Sequence, residues 1–539
     1  MKPSDGRAAE ACLFILFLMA PFEPRFTVSL GFMGVSLVEA IAIPSFLVAA
    51  IARLRLRDIW TPHPAIRALI LFSLVALVSA ALAAESPMRA FKFALRLGAM
   101  TALAVLAARL GEREVRFAFS GLALSGVVAA GLAIAEGLGA RRLDFFLGAF
   151  REMPFNVAGV RRATGGSEYP NLGAAMLVYA LLSGASLLKK RQGLRAAFVV
   201  LLATGLAFTY SRGAWLAGLA GLMALAFTES GLRRFVPSAV YVLLLGAFVA
   251  REEITQLRLG SENANDFYSA VYVVPPEYTF SPGERTLVPV TLTNTGQKPW
   301  RVDEQFHLSY HLFETAAKPL TDGPRSDLPR DVRPGESVTI QAEVRSPAKA
   351  GRYLLLWDLV HEDTTWFSGQ GVRPGAVRLR SGNPASATDA IREDDAVRAI
   401  PDALGWRPSR LKLWRIAARM WAANPFFGVG PDNFRWTYGT AAGKAAFDTR
   451  VFANNLFFEL AATVGTLGLA SFLAALVFAV SSAYAGASLS PSACAAFAVL
   501  VAMTVHGLTD YLFAFTGHYL VLGLAMGTAA RFPRTVPGK

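Results

Sequence analysis

The chain has 539 residues, 54% of them hydrophobic and only 17% charged, with a mean hydropathy of +0.41. That apolar excess excludes an ordinary water-soluble fold and requires lipid around much of the chain. The net charge of +14 does not point to nucleic acid, because no basic groove-reading motif or base-stacking aromatic set accompanies it; in a membrane protein it reflects cytoplasmic loops.

Lys2 and Arg7 precede the apolar run 11–20 as they would in a signal peptide. Pro21-Phe22-Glu23-Pro24 offers no small-residue cleavage site, so an uncleaved first helix is expected. Apolar runs near the length of a ~30 Å hydrocarbon core follow at 29–51, 66–84, 91–108, 117–137, 170–188, 195–210, 213–229 and 235–250. After a long polar interval come 455–482, 490–506 and 511–530, which with 11–22 makes twelve expected spans.

Charge supports the count. With the N-terminus inside, the cytoplasmic loops carry Arg53/Arg55/Arg57/Arg67, Arg109/Arg113/Arg116, Lys189/Lys190/Arg191/Arg195 and Arg233/Arg234, and the tail adds Arg531, Arg534 and Lys539. The alternate short loops hold only Arg25, Arg89 and Arg212, so both termini are expected in the cytoplasm. Two outer segments depart from this. Loop 138–169 carries Arg141, Arg142, Arg151, Arg161 and Arg162, and 251–454 is too polar to span.

Five short β-branched or aromatic runs, 269–274, 286–292, 306–313, 337–344 and 352–360, alternate with turn signals such as Ser281-Pro282-Gly283 and Arg333-Pro334-Gly335. They predict a sandwich of about seven strands over 269–380. Trp300, Trp357 and Trp366, with Tyr310, Tyr353 and Phe367, read as its core or as sugar-stacking aromatics. His307, His311 and His361 match no metal spacing, and no metal is expected. Ser381–Asp402 is a polar linker, and 409–423 is an amphipathic helix with Arg410, Lys412, Arg415 and Arg419 interleaved, placed on the outer leaflet. The two cysteines, Cys12 and Cys494, lie in apolar segments and imply no disulfide.

Four stretches, in order, resemble the O-antigen ligase/O-antigen polymerase (Wzy-C type) membrane glycosyltransferases. They are Arg162-Ala163-Thr164-Gly165 with Tyr169-Pro170-Asn171; Tyr210-Ser211-Arg212-Gly213-Ala214-Trp215; Asn424-Pro425-Phe426-Phe427-Gly428-Val429-Gly430-Pro431; and Ala453-Asn454-Asn455 through Glu459 to Gly465. The resemblance covers roughly 10–250 and 405–530 and not the sandwich. It implies a polytopic α-helical membrane protein of about 12 transmembrane helices, GT-C-like, with an inserted all-β domain similar to immunoglobulin-like accessory modules. Its parts are an N-terminal membrane domain (1–250), a connector (251–268), a periplasmic sandwich (269–380), a linker with the amphipathic helix and family motif (381–454), and C-terminal spans with a cytoplasmic tail (455–539).

The resemblance also implies a bacterial inner-membrane enzyme and its partners. The donor is an undecaprenyl-diphosphate-linked glycan, the acceptor a lipid or glycan hydroxyl, and no cofactor is needed. A polymerase differs only in acceptor. A flippase or a non-catalytic glycan-binding member is the rival reading. Arginine suits a diphosphate because its guanidinium fork stays charged and binds oxygens in pairs. Arg212, Arg161 and Arg162 are therefore candidate donor-binding residues, against plain interface anchors or solvated charges. Gly428 and Gly430 read as a close approach to a ligand or as a turn, and Asn455 reads as a substrate contact or a helix cap. The family's histidine is Asn454 here, and an asparagine takes no proton near neutral pH. Glu459 and the pair His506/Asp510, four residues apart, are candidate replacements, and Asp432 is a weaker one. Lys92 and Arg96 are the charges inside an expected span.

Overall fold

The computed structural model describes residues 3–30, 33–53, 63–83, 85–152, 154–233, 250–262, 266–314, 319–383, 392–399, 408–443 and 447–532, with single positions between 237 and 248. The expected span 235–250, most of the linker 381–402, and Arg55, Arg57, Arg534 and Lys539 lie outside the described residues.

Helices α1 (Pro3–Met19), α2 (Leu37–Arg53), α3 (Pro64–Ala81), α4 (Pro87–Ala107), α5 (Glu112–Gly137), α6 (Leu143–Leu147), α7 (Pro170–Leu187), α8 (Gln192–Phe208), α9 (Arg212–Thr228) and α10 (Ser230–Arg233) form the first part. Hairpins β1 (Thr27–Leu30)/β2 (Met33–Ser36) and β3 (Phe155–Val157)/β4 (Val160–Arg162) interrupt them. The run expected to span from residue 29 therefore starts its helix only at Leu37. After α11 (Arg251–Glu262) comes the β-rich part. The chain then returns through α12 (Glu393–Ala399), α13 (Arg410–Ala423) and α14 (Phe434–Ala441) to α15 (Leu456–Ala487), α16 (Pro491–Gly507) and α17 (Thr516–Ala529).

Helix starts follow local chemistry. Proline occupies the first turn of α3, α4, α7 and α16, where its missing N–H costs nothing. The Ser490 hydroxyl caps α16 by accepting from Ser492 N and Ala493 N. Among the described residues five helices are long and apolar enough to cross a membrane: α3, α4, α5, α7 and α15. Four more, Leu37–Ile51, Gln192–Phe208, Arg212–Thr228 and Pro491–Gly507, are apolar but shorter. Seventeen residues of helix rise ~26 Å, a little under the ~30 Å core, a mismatch that local bilayer thinning absorbs.

The C-terminal helices pack among the N-terminal ones: α15 lies on α3, α16 on α7 and α9, and α17 on α4. One apolar core runs from Leu13 through Leu97 and Leu177 to Ala529, so the polar interval is an insertion into a single bundle. Leu71, Leu74, Val128, Val200, Leu216 and Val477 remain exposed on helix surfaces, where only lipid removes them from water. Two ion pairs lie within the bundle. Arg96 Nε meets Glu39 Oε1 at 2.7 Å, and Arg195 Nη1 meets Glu229 Oε2 at 3.0 Å.

The insertion carries two sheets. One has the order β10 (Ser326–Asp327), β8 (Phe306–Phe313), β12 (Gly351–His361), β14 (Gly375–Ser381), β6 (Glu277–Phe280), with β9 (Thr321–Asp322) on β8 and β13 (Thr365–Trp366) on β12. The other is β11 (Ser337–Arg345), β7 (Arg285–Asn294), β5 (Ala270–Val273). Val288, Val290, Leu292, Ile340 and Val344 from the second sheet share one core with Tyr310, Leu355, Trp357 and Leu379 of the first. All pairings are antiparallel except β14–β6, which is parallel. Trp300 and Trp357 are fully buried, which closes them to sugar stacking, and Trp366 is flanked by the His311 ring at 4.4 Å and the Arg325 guanidinium at 4.7 Å.

His311 lies between two carboxylates, Nδ1 at 2.7 Å from Asp322 and Nε2 at 3.4 Å from Asp358. Burial alone lowers its pKa, but the hydrogen bonds and charges of Asp322 and Asp358 outweigh burial and raise it, while the same contact lowers the Asp322 pKa. A raised histidine pKa contributes stability that is fully present below the unfolded value of about 6.5 and is lost as pH rises through the folded value. Melting of the β-domain is therefore expected to fall in temperature as pH rises from about 6 to 8. In His311→Gln that pH slope should disappear, and an unchanged slope would mean another group carries it.

Candidate functional site

Hairpin β3–β4 turns through Ala158 (φ 55°) and Gly159 (φ 83°), the two left-handed residues of a tight hairpin. Successive strand residues face opposite ways, and the two arginines of β4 divide accordingly. Arg161 pairs with Asp144 and lies 4.0 Å from Glu136, in a cluster where Arg151 also pairs with both carboxylates. Arg162 faces the helix ends. Its Nε donates to the Thr209 carbonyl at 2.9 Å and its Nη2 to Asn171 Oδ1 at 2.7 Å. Asn171 Nδ2 donates in turn to Asp510 Oδ2 at 2.7 Å, and Asp510 Oδ1 accepts from the Tyr511 amide at 2.8 Å.

Burial lowers the Arg162 pKa to about 10; Asp510 pulls it up, and Arg212 and Arg410 push it down. At neutral pH the group stays charged. Arg162 thus feels two other arginines and one carboxylate, and its own guanidinium is held by neutral carbonyl and carboxamide partners.

The start of α9 packs on the turn after α16. A Cβ added at Gly213 would sit 2.4 Å from Thr509 Oγ1 and 3.3 Å from His506 Cδ2. Tyr210, two residues before Arg212, has φ 50°, a conformation rare for a bulky side chain and stored where the surroundings over-determine it. His506 is 1% exposed and its Nδ1 has no hydrogen-bond partner. Among the described residues no hydrogen bond joins the His506 and Asp510 side chains; Asp510 reaches His506 through its backbone, N to O at 3.0 Å. The Asn455 carboxamide caps α15, accepting from Phe457 N and Phe458 N at 3.0 Å each, and donates to the Leu508 carbonyl at 2.8 Å. It therefore ties α15 to the same turn.

Glu459 and Asp432 lie in a second cluster. Glu459 is fully buried; Oε2 accepts from Ala453 N at 2.7 Å and Oε1 has no partner. Asp432 (φ 65°) is forked by Arg435 at 2.8 and 2.7 Å. Asn454 is partly exposed at φ 50°.

Gly428 and Gly430 approach protein backbone closely. Helix α15 is broken at Gly465 (φ 69°, ψ −171°), and the segment 425–430 pairs along the break: Val429 N to Ala462 O and Gly430 N to Thr463 O at 3.0 Å, Thr466 N to Pro425 O at 2.7 Å. Among the described residues no group of three or more His, Cys, Asp or Glu is placed to hold a metal ion.

Residues 385–473 match the O-antigen ligase family. No curated protein matches the chain. The apolar helices together with this match mark a membrane protein, and the O-antigen ligase likeness is confined to residues 385–473. Its span includes Arg410, Gly428, Gly430, Asn454, Asn455 and Glu459, whereas Arg162, Arg212, His506 and Asp510 lie outside it and reach it through Asn455–Leu508 and the charge of Arg410.

Arg410 and Asn171 were not expected in the site. Arg410 begins the amphipathic helix, α13, whose Leu413, Ile416, Ala417 and Met420 pack on Phe434, Tyr438 and Ala462. That face therefore meets protein, although Leu411 stays exposed. The hairpin bearing Arg162 is also fixed from above. Ala158 is buried in the β-domain core, and Asn156 Nδ2 donates to the Asp363 carbonyl at 3.3 Å.

Proposed function

We propose that the protein is an integral-membrane glycosyltransferase that moves a glycan from a polyprenyl-diphosphate carrier to a hydroxyl on a lipid or another glycan. The observation that supports this best is the gathering of Arg162, Arg212 and Arg410 beside Asn171 and Asp510, joined by Asn455 to the O-antigen ligase segment. In this reading the carrier is undecaprenyl diphosphate, the membrane is the bacterial inner membrane, and the site and β-domain face the periplasm with both termini in the cytoplasm. The nine helices already named as long or short apolar elements, α1, α17 and the 235–250 segment complete about twelve spans, and the paired sheets form an immunoglobulin-like sandwich.

The acceptor oxygen attacks the anomeric carbon from the side opposite the diphosphate, so configuration inverts. A new C–O bond forms, the sugar–phosphate C–O bond breaks, and the diphosphate leaves with the electron pair. The three guanidinium groups neutralise the charge that develops on it, most strongly where water is excluded, without a metal. The acceptor's proton passes to His506, whose ring edge at Cδ2 lies beside Gly213 and whose Nδ1 has no partner among the described residues, and which stands in for the histidine that is Asn454 here. Arg161, neutralised by Asp144, is a support of the hairpin in this scheme rather than a donor contact. Glu459, in the second cluster, is likewise not the proposed base.

Disrupting the gene and complementing it with wild type or Arg212→Ala tests the reading on surface-glycan gels. Long lipid-linked chains without mature conjugate are expected, uncorrected by Arg212→Ala. Accumulated single-repeat carriers would instead indicate a polymerase. Unchanged glycans would contradict transfer and favour a flippase or a non-catalytic glycan-binding protein.

A further inference from the structure

A different face of α7 borders a cleft of about 210 Å³ at the same end of the bundle. Its walls come from the chain after α1, from α4, and from the starts of α7 and α17. Most of its polar groups are already engaged. Arg96 holds Glu39, Glu23 accepts from Thr516 N at 3.1 Å and Oγ1 at 2.7 Å, Ser167 donates to the Pro21 carbonyl at 3.2 Å, and Arg25 pairs with Glu152 at 3.3 Å.

His518 is the exception. It lines the cleft and is 3% exposed, and among the described residues neither ring nitrogen makes a well-formed hydrogen bond, the Leu172 backbone offering at most a weak one. Tyr179, its edge-on neighbour at 6.0 Å between ring centroids, is fully buried with an unpartnered hydroxyl. An orphaned buried donor or acceptor carries an uncompensated desolvation cost, and native proteins keep few of them. His518 is the one of the two that lines the cleft, and a ligand there would satisfy it.

Its chemistry follows from the walls. A neutral imidazole presents one donor and one acceptor, which is what a hydroxyl complements. The charges near the cleft, Glu23 and Glu168 against Arg25 and Arg96, balance, so no net field favours a phosphate. Leu172, Met176 and Phe515 supply apolar wall for the C–H faces of a ring.

We propose that this cleft seats one sugar residue through His518, and that it is the acceptor side of the transfer; the second half of the proposal rests on the glycan-transfer reading. The sugar's hydroxyls bond to the His518 ring, while the diphosphate of the donor is held on the other face of α7 by Arg162.

The test uses full-length protein in lipid nanodiscs and octyl β-glucoside carrying a diazirine on the sugar. Photolysis should label peptides containing 20–27, 167–176 and 514–518. His518→Phe should cut labelling at least tenfold, and His518→Gln, which keeps a donor and an acceptor, should retain part of it. Polyprenyl-diphosphate binding, measured on the same samples, should persist in both variants. Equal labelling in wild type and His518→Phe, no labelling of these peptides, or stronger labelling of them by a diazirine-bearing octyl phosphate would each overturn the sugar seat. Cleft labelling without any polyprenyl-diphosphate binding by wild type would keep the seat and overturn its acceptor role.

Discussion

Arg162→Ala is expected to lower glycan transfer by about 10²–10³-fold, the loss typical of removing one preorganised donor from a developing negative charge. The size follows from where the side chain sits. Its guanidinium is held at both ends by neutral acceptors, Thr209 O and Asn171 Oδ1, so its charge is oriented without being cancelled. Arg162→Lys keeps the charge but not the planar fork, and it should fall between wild type and alanine. A merely structural role would lower folded yield and leave the activity of the surviving protein intact. The deciding comparison is therefore transfer per folded molecule, with polyprenyl-diphosphate affinity measured beside it. Equal affinity in wild type and Arg162→Ala would remove Arg162 from the donor site.

The largest stability effect is expected at Gly428. Its φ of 67° is left-handed, and an added Cβ would lie 2.4 Å from Thr463 C and 2.6 Å from the Ala462 and Thr463 carbonyl oxygens. Those are backbone atoms of α15 at its break, so no side chain can swing away. The left-handed conformation costs alanine about 1–2 kcal/mol and forced overpacking about 1–3 kcal/mol, so Gly428→Ala should lose about 2–5 kcal/mol. Gly443→Ala separates the two causes. It has φ 72° with nothing within 4 Å of an added Cβ, so only the conformational cost of about 1–2 kcal/mol applies. Thermal melting in detergent of both variants measures the difference. If the two melt together, the close packing of 425–430 on α15 is not what the glycine serves.

Much of this arrangement was legible in the sequence, because it depended on local pattern. Apolar run length pointed to membrane-length helices, and turn residues between short β-branched runs pointed to the sheet-rich region, whose strands run from Ala270 to Ser381. Arg162 and Arg212 stood out by breaking charge asymmetry or sitting at a helix boundary. What stayed hidden depended on tertiary placement. Arg161 and Arg162 were equivalent until 160–162 was seen as a strand, which turns neighbours to opposite faces and sends Arg161 to Asp144. Residues 29–36 are apolar enough to read as the start of a span, and only the cross-strand pairing of β1 with β2 shows the hairpin. Gly465 carried no helix-breaking signal beyond its identity, and the close approach of Gly428 to the break it creates is a contact across 34 or more residues. Arg410 reaches the site from a helix 248 positions beyond Arg162, a distance that no spacing rule bridges.

The most direct measurement is turnover of a radiolabelled polyprenyl-diphosphate glycan by the purified full-length protein in liposomes containing EDTA. Release of free polyprenyl diphosphate together with a labelled glycan on the acceptor, abolished in Arg162→Ala, is the expected result. An intact donor that only changes leaflet, or one that binds and is never cleaved, would contradict glycan transfer.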